Sequence, residues 1–228
     1  MYLKNKKIAV CFSGAPRSLN ITNENIRNFI DSSFGECDIF GYIPFCNTSN
    51  QLEEFFPQAN IVKAMDQYID DNKIPISNGF GSGGGAKHFS GKQAYLQQLN
   101  GLKQVNLMRK KHEKQYNIKY DFIVRCRMDV RYTTNLPELE YQKDRLYIPD
   151  FHHHGGVNDR FCIGSPELID NYMNALDIYH QNPSICTHAE SFLLHCLQIN
   201  NTPIELIKLK FNRVRENGDE CYWDSTDS

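Results

Sequence analysis

The sequence lacks the features that mark several large functional classes. There is no basic excess: 25 Lys and Arg stand against 27 Asp and Glu, a formal charge of −2. Wholesale nucleic-acid binding, which normally shows as clustered positive charge, is therefore not expected. No apolar run approaches the length that a bilayer requires, and the run after the polar, basic Met1–Lys7 is too short for a secretory signal. A cytoplasmic location without a transmembrane segment is expected, with peripheral membrane contact still open. No Cys-x-x-Cys occurs among the eight cysteines, and Cys11, Cys126, Cys162 and Cys196 lie within apolar segments. Reduced, mostly buried thiols fit this pattern better than a disulfide framework or a cysteine zinc site. No internal repeat is visible.

What is present is ordinary globular material, 40% hydrophobic and 23% charged over 228 residues. That length suits one domain spanning 1–228. Lys7–Phe12 reads as a strand, followed by a helix over 20–33 whose Ile26, Phe29 and Ile30 keep helical spacing and which Gly35 stops. A strand over 37–43, a short helix over 51–56 and a strand over 60–65 follow. This alternation predicts an α/β fold, a mostly parallel mixed sheet with crossover helices on its faces. Residues 70–90 are glycine-rich and irregular, the pattern of a flexible lid or binding loop.

A long helix over 91–116 follows, with Tyr95, Leu99, Leu102, Val105, Met108, His112 and Tyr116 as its buried stripe. It leads into the strand Tyr120–Val130, which should lie centrally. Strands over 145–149, 159–163 and 204–214, helices over 166–180 and 188–199, and a polar tail from Glu216 complete the chain. Ser165 is the expected N-cap of the helix that opens with Pro166.

The central strand carries the most chemistry. Alternation puts Arg125, Arg127 and Asp129 on one face and Val124, Cys126 and Met128 on the other. Such charges are expensive to bury without partners. Two arginines can hold a phosphate or carboxylate, and Asp129 can hold a divalent cation. A structural Arg–Asp cluster at a sheet edge is the plainer alternative.

The turn Ser13-Gly14-Ala15-Pro16-Arg17 follows the first strand, at the edge where open parallel sheets bind ligands. Gly14 permits close backbone approach, and Arg17 offers a forked donor. Gly79–Gly84 matches G-x-G-x-x-G and residues 86–93 partly match a P-loop, but neither sits between a strand and a helix as those motifs require. A mobile loop whose Lys87, His88 and Lys92 touch a ligand is the better reading. His152 and His154 can share a face, yet no zinc set is completed nearby. Asp159 also reads as a turn residue, and Glu190 as a first-turn helix acid favoured by the helix dipole.

Taken in order, three segments carry a resemblance: Val10–Ser18, Lys119–Val130, and Gly156–Gly164 with His188-Ala189-Glu190. Together they resemble the GT-A-fold nucleotide-sugar glycosyltransferases, of the small type encoded by bacteria and large DNA viruses. The resemblance spans residues 7 to about 217 and implies transfer of a hexosyl or deoxyhexosyl group from a UDP- or GDP-sugar to a glycan or other hydroxyl acceptor. By it, Ser13, Gly14, Arg17, Lys92, Arg125, Arg127 and Asp129 hold the donor, and Asp129 binds Mn2+ or Mg2+ on the diphosphate. Asp159 and Glu190 are the candidate acceptor bases, and a viral source would place the enzyme in host cytoplasm. Two departures stand out: Arg127 occupies the first acidic position of the expected Asp-x-Asp, and no histidine follows Ile204. The arginine thus replaces the cation in part, or the metal keeps one carboxylate. A metal-dependent phosphohydrolase or nucleotidyltransferase using Asp129, Asp159 and His152–His154, and a non-catalytic nucleotide-sugar-binding module, are the alternatives.

Overall fold

A computed structural model describes residues 3–64, 88–185 and 188–221, with only the helical backbone given for 88–93. The glycine-rich stretch over 70–90 therefore lies largely outside the described residues, as do Lys87 and the side chains of His88 and Lys92. The expected alternation is present through the first half: β1 Ile8–Ser13, α1 Leu19–Phe34, β2 Asp38–Pro44, α2 Gln51–Phe55, β3 Asn60–Ala64, α3 His88–Tyr116 and β4 Phe122–Cys126. Gly35 caps α1 as expected, its N–H donating to the Asp31 carbonyl.

The second half differs from its reading in several places. β5 Val130–Tyr132, β6 Leu146–Pro149 and β7 Cys162–Gly164 are followed by α4 Pro166–Met173 and α5 Ala175–Gln181, one expected helix broken at Asn174. After α6 Ala189–Ile199, the single expected strand over 204–214 is two, β8 Ile204–Ile207 and β9 Phe211–Val214. The expected polar tail contributes β10 Glu220–Cys221.

Seven strands form one mixed sheet in the order β3-β2-β1-β4-β7-β6-β8, while β10-β9-β5 form a small second sheet. The pairs β3–β2, β2–β1, β1–β4 and β6–β8 are parallel; β7 runs antiparallel between β4 and β6. β4 is thus central, and helices flank both faces. Strand alternation sorts the core. Ile8, Val10, Phe12, Val124 and Cys126 pack with α1 through Leu19, Ile26 and Phe29. Ala9, Cys11 and Ile123 pack with Leu102 and Val105 of α3 and with α4 and α6. The α3 stripe holds from Tyr95 to Val105, but Tyr116 is 59% exposed, because α3 outruns the sheet that it covers. Beyond Val105 the buried positions are polar: Arg109 meets Asn106, Glu113 and Asp170 of α4. Among the described residues, Cys11, Cys126, Cys162 and Cys196 are buried thiols outside any disulfide. Burial pushes the Cys11 and Cys126 thiols up to about 12, so they stay protonated and inert. No described helix is long and apolar enough to cross a membrane.

Candidate functional site

The strand order reverses direction between β1 and β4. β1 is followed by α1 and leads outward to β2 and β3, whereas β4 leads to the opposite side. In open α/β sheets the crevice outside the carboxyl ends of the strands at such a switch point is where ligands bind. The register Phe12↔Cys126 puts Ser13 level with Arg127, so the glycine bend and the charged tip share one edge. Gly14 has φ 100°, a conformation that disfavours any side chain, and nothing lies within 4 Å of where a Cβ would stand. From α3, Gly101 packs against Ser13, where a Cβ would come within 3.3 Å of the serine Cβ. Ser13 is itself buried and its Oγ is without a hydrogen-bond partner. Arg17 is exposed on the turn beyond.

The tip of β4 is not the continuous strand that alternation predicts. β4 stops at Cys126, and residues 127–129 form a bend into β5 of the second sheet. Polar groups far away in sequence hold that bend. The Thr22 hydroxyl donates to the Met128 carbonyl at 2.7 Å, and the Val214 N–H donates to the Asp129 carbonyl at 2.9 Å. Asn25 bonds both backbone groups of Tyr132, while Phe29 stacks on the Tyr132 ring at 3.6 Å between centroids. Facing directions survive the bend: Met128 is in the α1-side core.

The charges meet partners. Arg127 donates from Nε and Nη2 to the two oxygens of Asp129, each at 2.6 Å, a forked pair with both side chains about a quarter exposed (25% and 23%). Burial pushes the Asp129 carboxyl upward, but the Arg127 and Arg125 charges outweigh it and bring the group down to about 2. Arg125 is 1% exposed and donates through Nη1 to the Arg160 carbonyl, while its Nε finds no partner.

Asp159 is buried just ahead of β7 and accepts from Gln98 of α3 at 2.7 Å. Burial raises it, but Arg127, Arg125 and Arg160 together hold it below the usual carboxylate range. Glu190, in the first turn of α6, is 7% exposed and behaves in the opposite way. Burial first, and then the charge of Asp159, lift its carboxyl above the usual range, against weaker lowering by His188 and Arg160. Arg125, Arg127, Asp129, Asp159 and Glu190 therefore form one electrostatically linked cluster beside the Ser13–Gly14 bend. Gln98, Arg160 and His188 belong to it without having been singled out as site residues; only a contact map could have found Gln98, 61 residues from its partner.

A divalent cation needs several hard oxygen ligands. At Asp129 both oxygens already accept from Arg127, and no group of three His, Cys, Asp or Glu side chains placed for a metal exists among the described residues. A manganese or magnesium ion there would compete with Arg127 for the Asp129 oxygens. His152 and His154 do come together, Nδ1 to Nε2 at 3.0 Å, through left-handed backbone, φ 53° and 44°.

Fold and site together define an α/β protein with a mixed seven-stranded sheet and a charged crevice at its switch point. A family model described as "Domain of unknown function (DUF7796)" matches residues 3–191, and the chain belongs to that family. The matched span takes in the whole cluster, from Ser13 to Glu190. No curated protein matches the sequence.

Proposed function

We propose that the chain is a GT-A-type glycosyltransferase that moves a sugar from a nucleotide-diphosphate donor to a glycan or other hydroxyl acceptor. One observation carries the reading: the β1 glycine bend and the Arg127–Asp129 tip lie side by side at the carboxyl edge of the switch point. The nucleotide lies over Ser13–Gly14, where the backbone is open, with Arg17 toward its outer side. The diphosphate meets the arginine side of the cluster.

Departure of a nucleoside diphosphate needs positive charge on its phosphates. Three arginines, Arg125, Arg127 and Arg160, stand against two carboxylates held ionised, Asp129 and Asp159. That surplus takes the part of a cation, with Asp129 as the fork that fixes the plane of Arg127. Of the two acids, Glu190 is the better base: a raised carboxyl binds a proton at neutral pH more readily. Asp159, held as a carboxylate, orders Gln98 and balances the arginines. As the acceptor oxygen attacks the anomeric carbon, Glu190 takes its proton, and the sugar–phosphate C–O bond breaks with its electron pair going to phosphate.

The experiment is a thermal-shift screen of UDP- and GDP-sugars followed by product analysis. A donor that binds only the native chain raises its Tm, and incubation with acceptor then releases nucleoside diphosphate. Release of inorganic phosphate or pyrophosphate instead marks a phosphohydrolase or nucleotidyltransferase. Binding without turnover over any acceptor panel marks a binding module.

A further inference from the structure

A mostly buried base gains from a neighbour that can pass its proton toward water. Glu190 is such a group, and the contact leading outward from it is His188. Nδ1 of His188 lies 3.0 Å from Oε2 of Glu190, with the two side chains 37% and 9% exposed. The two atoms are close without being aligned as a hydrogen bond, a common state of catalytic contacts before ligand binds. Further out, the ring of His154 is centred 6.0 Å from that of His188. His154 is exposed and touches His152.

Two features tie this histidine loop to the acid. His152 and His154 both hold positive φ, which costs free energy for non-glycine residues and persists only where the surroundings fix it. Gly156 lies against the backbone of Glu190, where an added Cβ would overlap the Glu190 carbonyl, and the Val157 N–H donates to that carbonyl at 3.2 Å. Loop and helix start thus form one unit. The charged groups acting on Glu190 are Asp159, Arg160 and His188, and the Tyr95 hydroxyl of α3 bonds the Ala189 carbonyl next to it.

We propose that His188 is a positioning and proton-relay residue for Glu190, carrying the acceptor's proton from the buried carboxyl to solvent past His154. The inference rests on the transferase reading and extends it. In the relay the acceptor O–H pair becomes the new C–O bond, and the proton goes to Glu190. From there it moves to His188 as an imidazolium, which releases it to water, so the base is restored for the next turnover.

The test compares wild type with His188→Asn and His188→Ala in a pH series of kcat/KM, alongside nucleotide titration. Asn is a favoured N-cap, and His188 is the residue before α6, so the first variant keeps the helix start. The expected result is a kcat lower by about 10- to 100-fold with nucleotide affinity unchanged. The acid limb also moves to higher pH, because the neighbour that lowers the Glu190 carboxyl is gone, and added imidazole restores part of the His188→Ala rate. Unchanged kcat and an unmoved limb overturn the relay. A rate loss with neither limb shift nor imidazole rescue also overturns it, marking a purely structural residue. A wild-type chain that binds no nucleotide sugar overturns the transferase reading, and the relay with it.

Discussion

The rim built on β4 and the rim built on α6 meet at Asp159, yet they hold carboxyls in opposite ways. On the β4 side, Arg127 and Arg125 pull Asp129 and Asp159 down against burial, with Arg160 adding at Asp159, so both are spent in fixing positive charge. On the α6 side, Glu190 has a histidine for its near partner and an aspartate for its neighbour, and burial lifts it. Three acids in one crevice are thereby sorted into two that stay charged and one that can take a proton. Sequence placed Asp159 and Glu190 as equals; the difference between the rims separates them.

The largest effect should come from Glu190→Gln. If the α6 rim supplies the base, turnover falls by about 100- to 10,000-fold in a donor-consumption assay. Stability should move the other way. A carboxyl raised in the folded state contributes most below its unfolded value, and that contribution is lost as pH rises through the raised value. Glu190→Gln should therefore have a higher Tm than wild type at pH 8, and the gap should close toward pH 4. Asp159→Asn should show the mirror image, since a lowered carboxyl stabilises above its unfolded value and loses that stabilisation as pH falls. A Tm below wild type at pH 8 that converges in acid is expected; a rise at pH 8 would erase the contrast between the rims.

Asp129→Asn probes the β4 rim alone. With the group near 2 against an ordinary value of 3.8, the lost stability at pH 7 is about 2 kcal/mol in urea unfolding, fading as pH falls from about 4 toward 2. Gly156→Ala is expected to lower stability by about 1–3 kcal/mol and to slow turnover, because the overlap is with the Glu190 backbone. The smallest effect is Thr22→Val, about 1 kcal/mol for the hydroxyl that ties α1 to the bend at Met128.

The first half of the chain was legible because local periods and global packing agree there. Alternating Ile8, Val10 and Phe12 face α1, and Gly35 stops α1 where the pattern ends. The second half was less so. Residues 204–214 keep a strand-like composition throughout, yet the chain turns at Leu209, whose N–H donates to Ile207, and the two pieces join different sheets. β4 ends early for a similar reason: its carbonyls at Met128 and Asp129 are claimed by Thr22 and Val214. In the site, charge alternation revealed Arg125, Arg127 and Asp129. What alternation cannot show is that Arg127 closes on Asp129, or that burial and the charge of Asp159 lift Glu190 while three arginines hold Asp159 down.

The central claim is that the glycine bend and the arginine fork make one nucleotide-diphosphate site that works without a cation. Isothermal titration of UDP and GDP into wild type and Arg127→Ala, each in EDTA and in manganese, tests it most directly. The account predicts that one of the two nucleotides binds wild type equally in both buffers, and that Arg127→Ala weakens it by about 10-fold or more. Binding that appears only with manganese, or an affinity indifferent to Arg127, would contradict it.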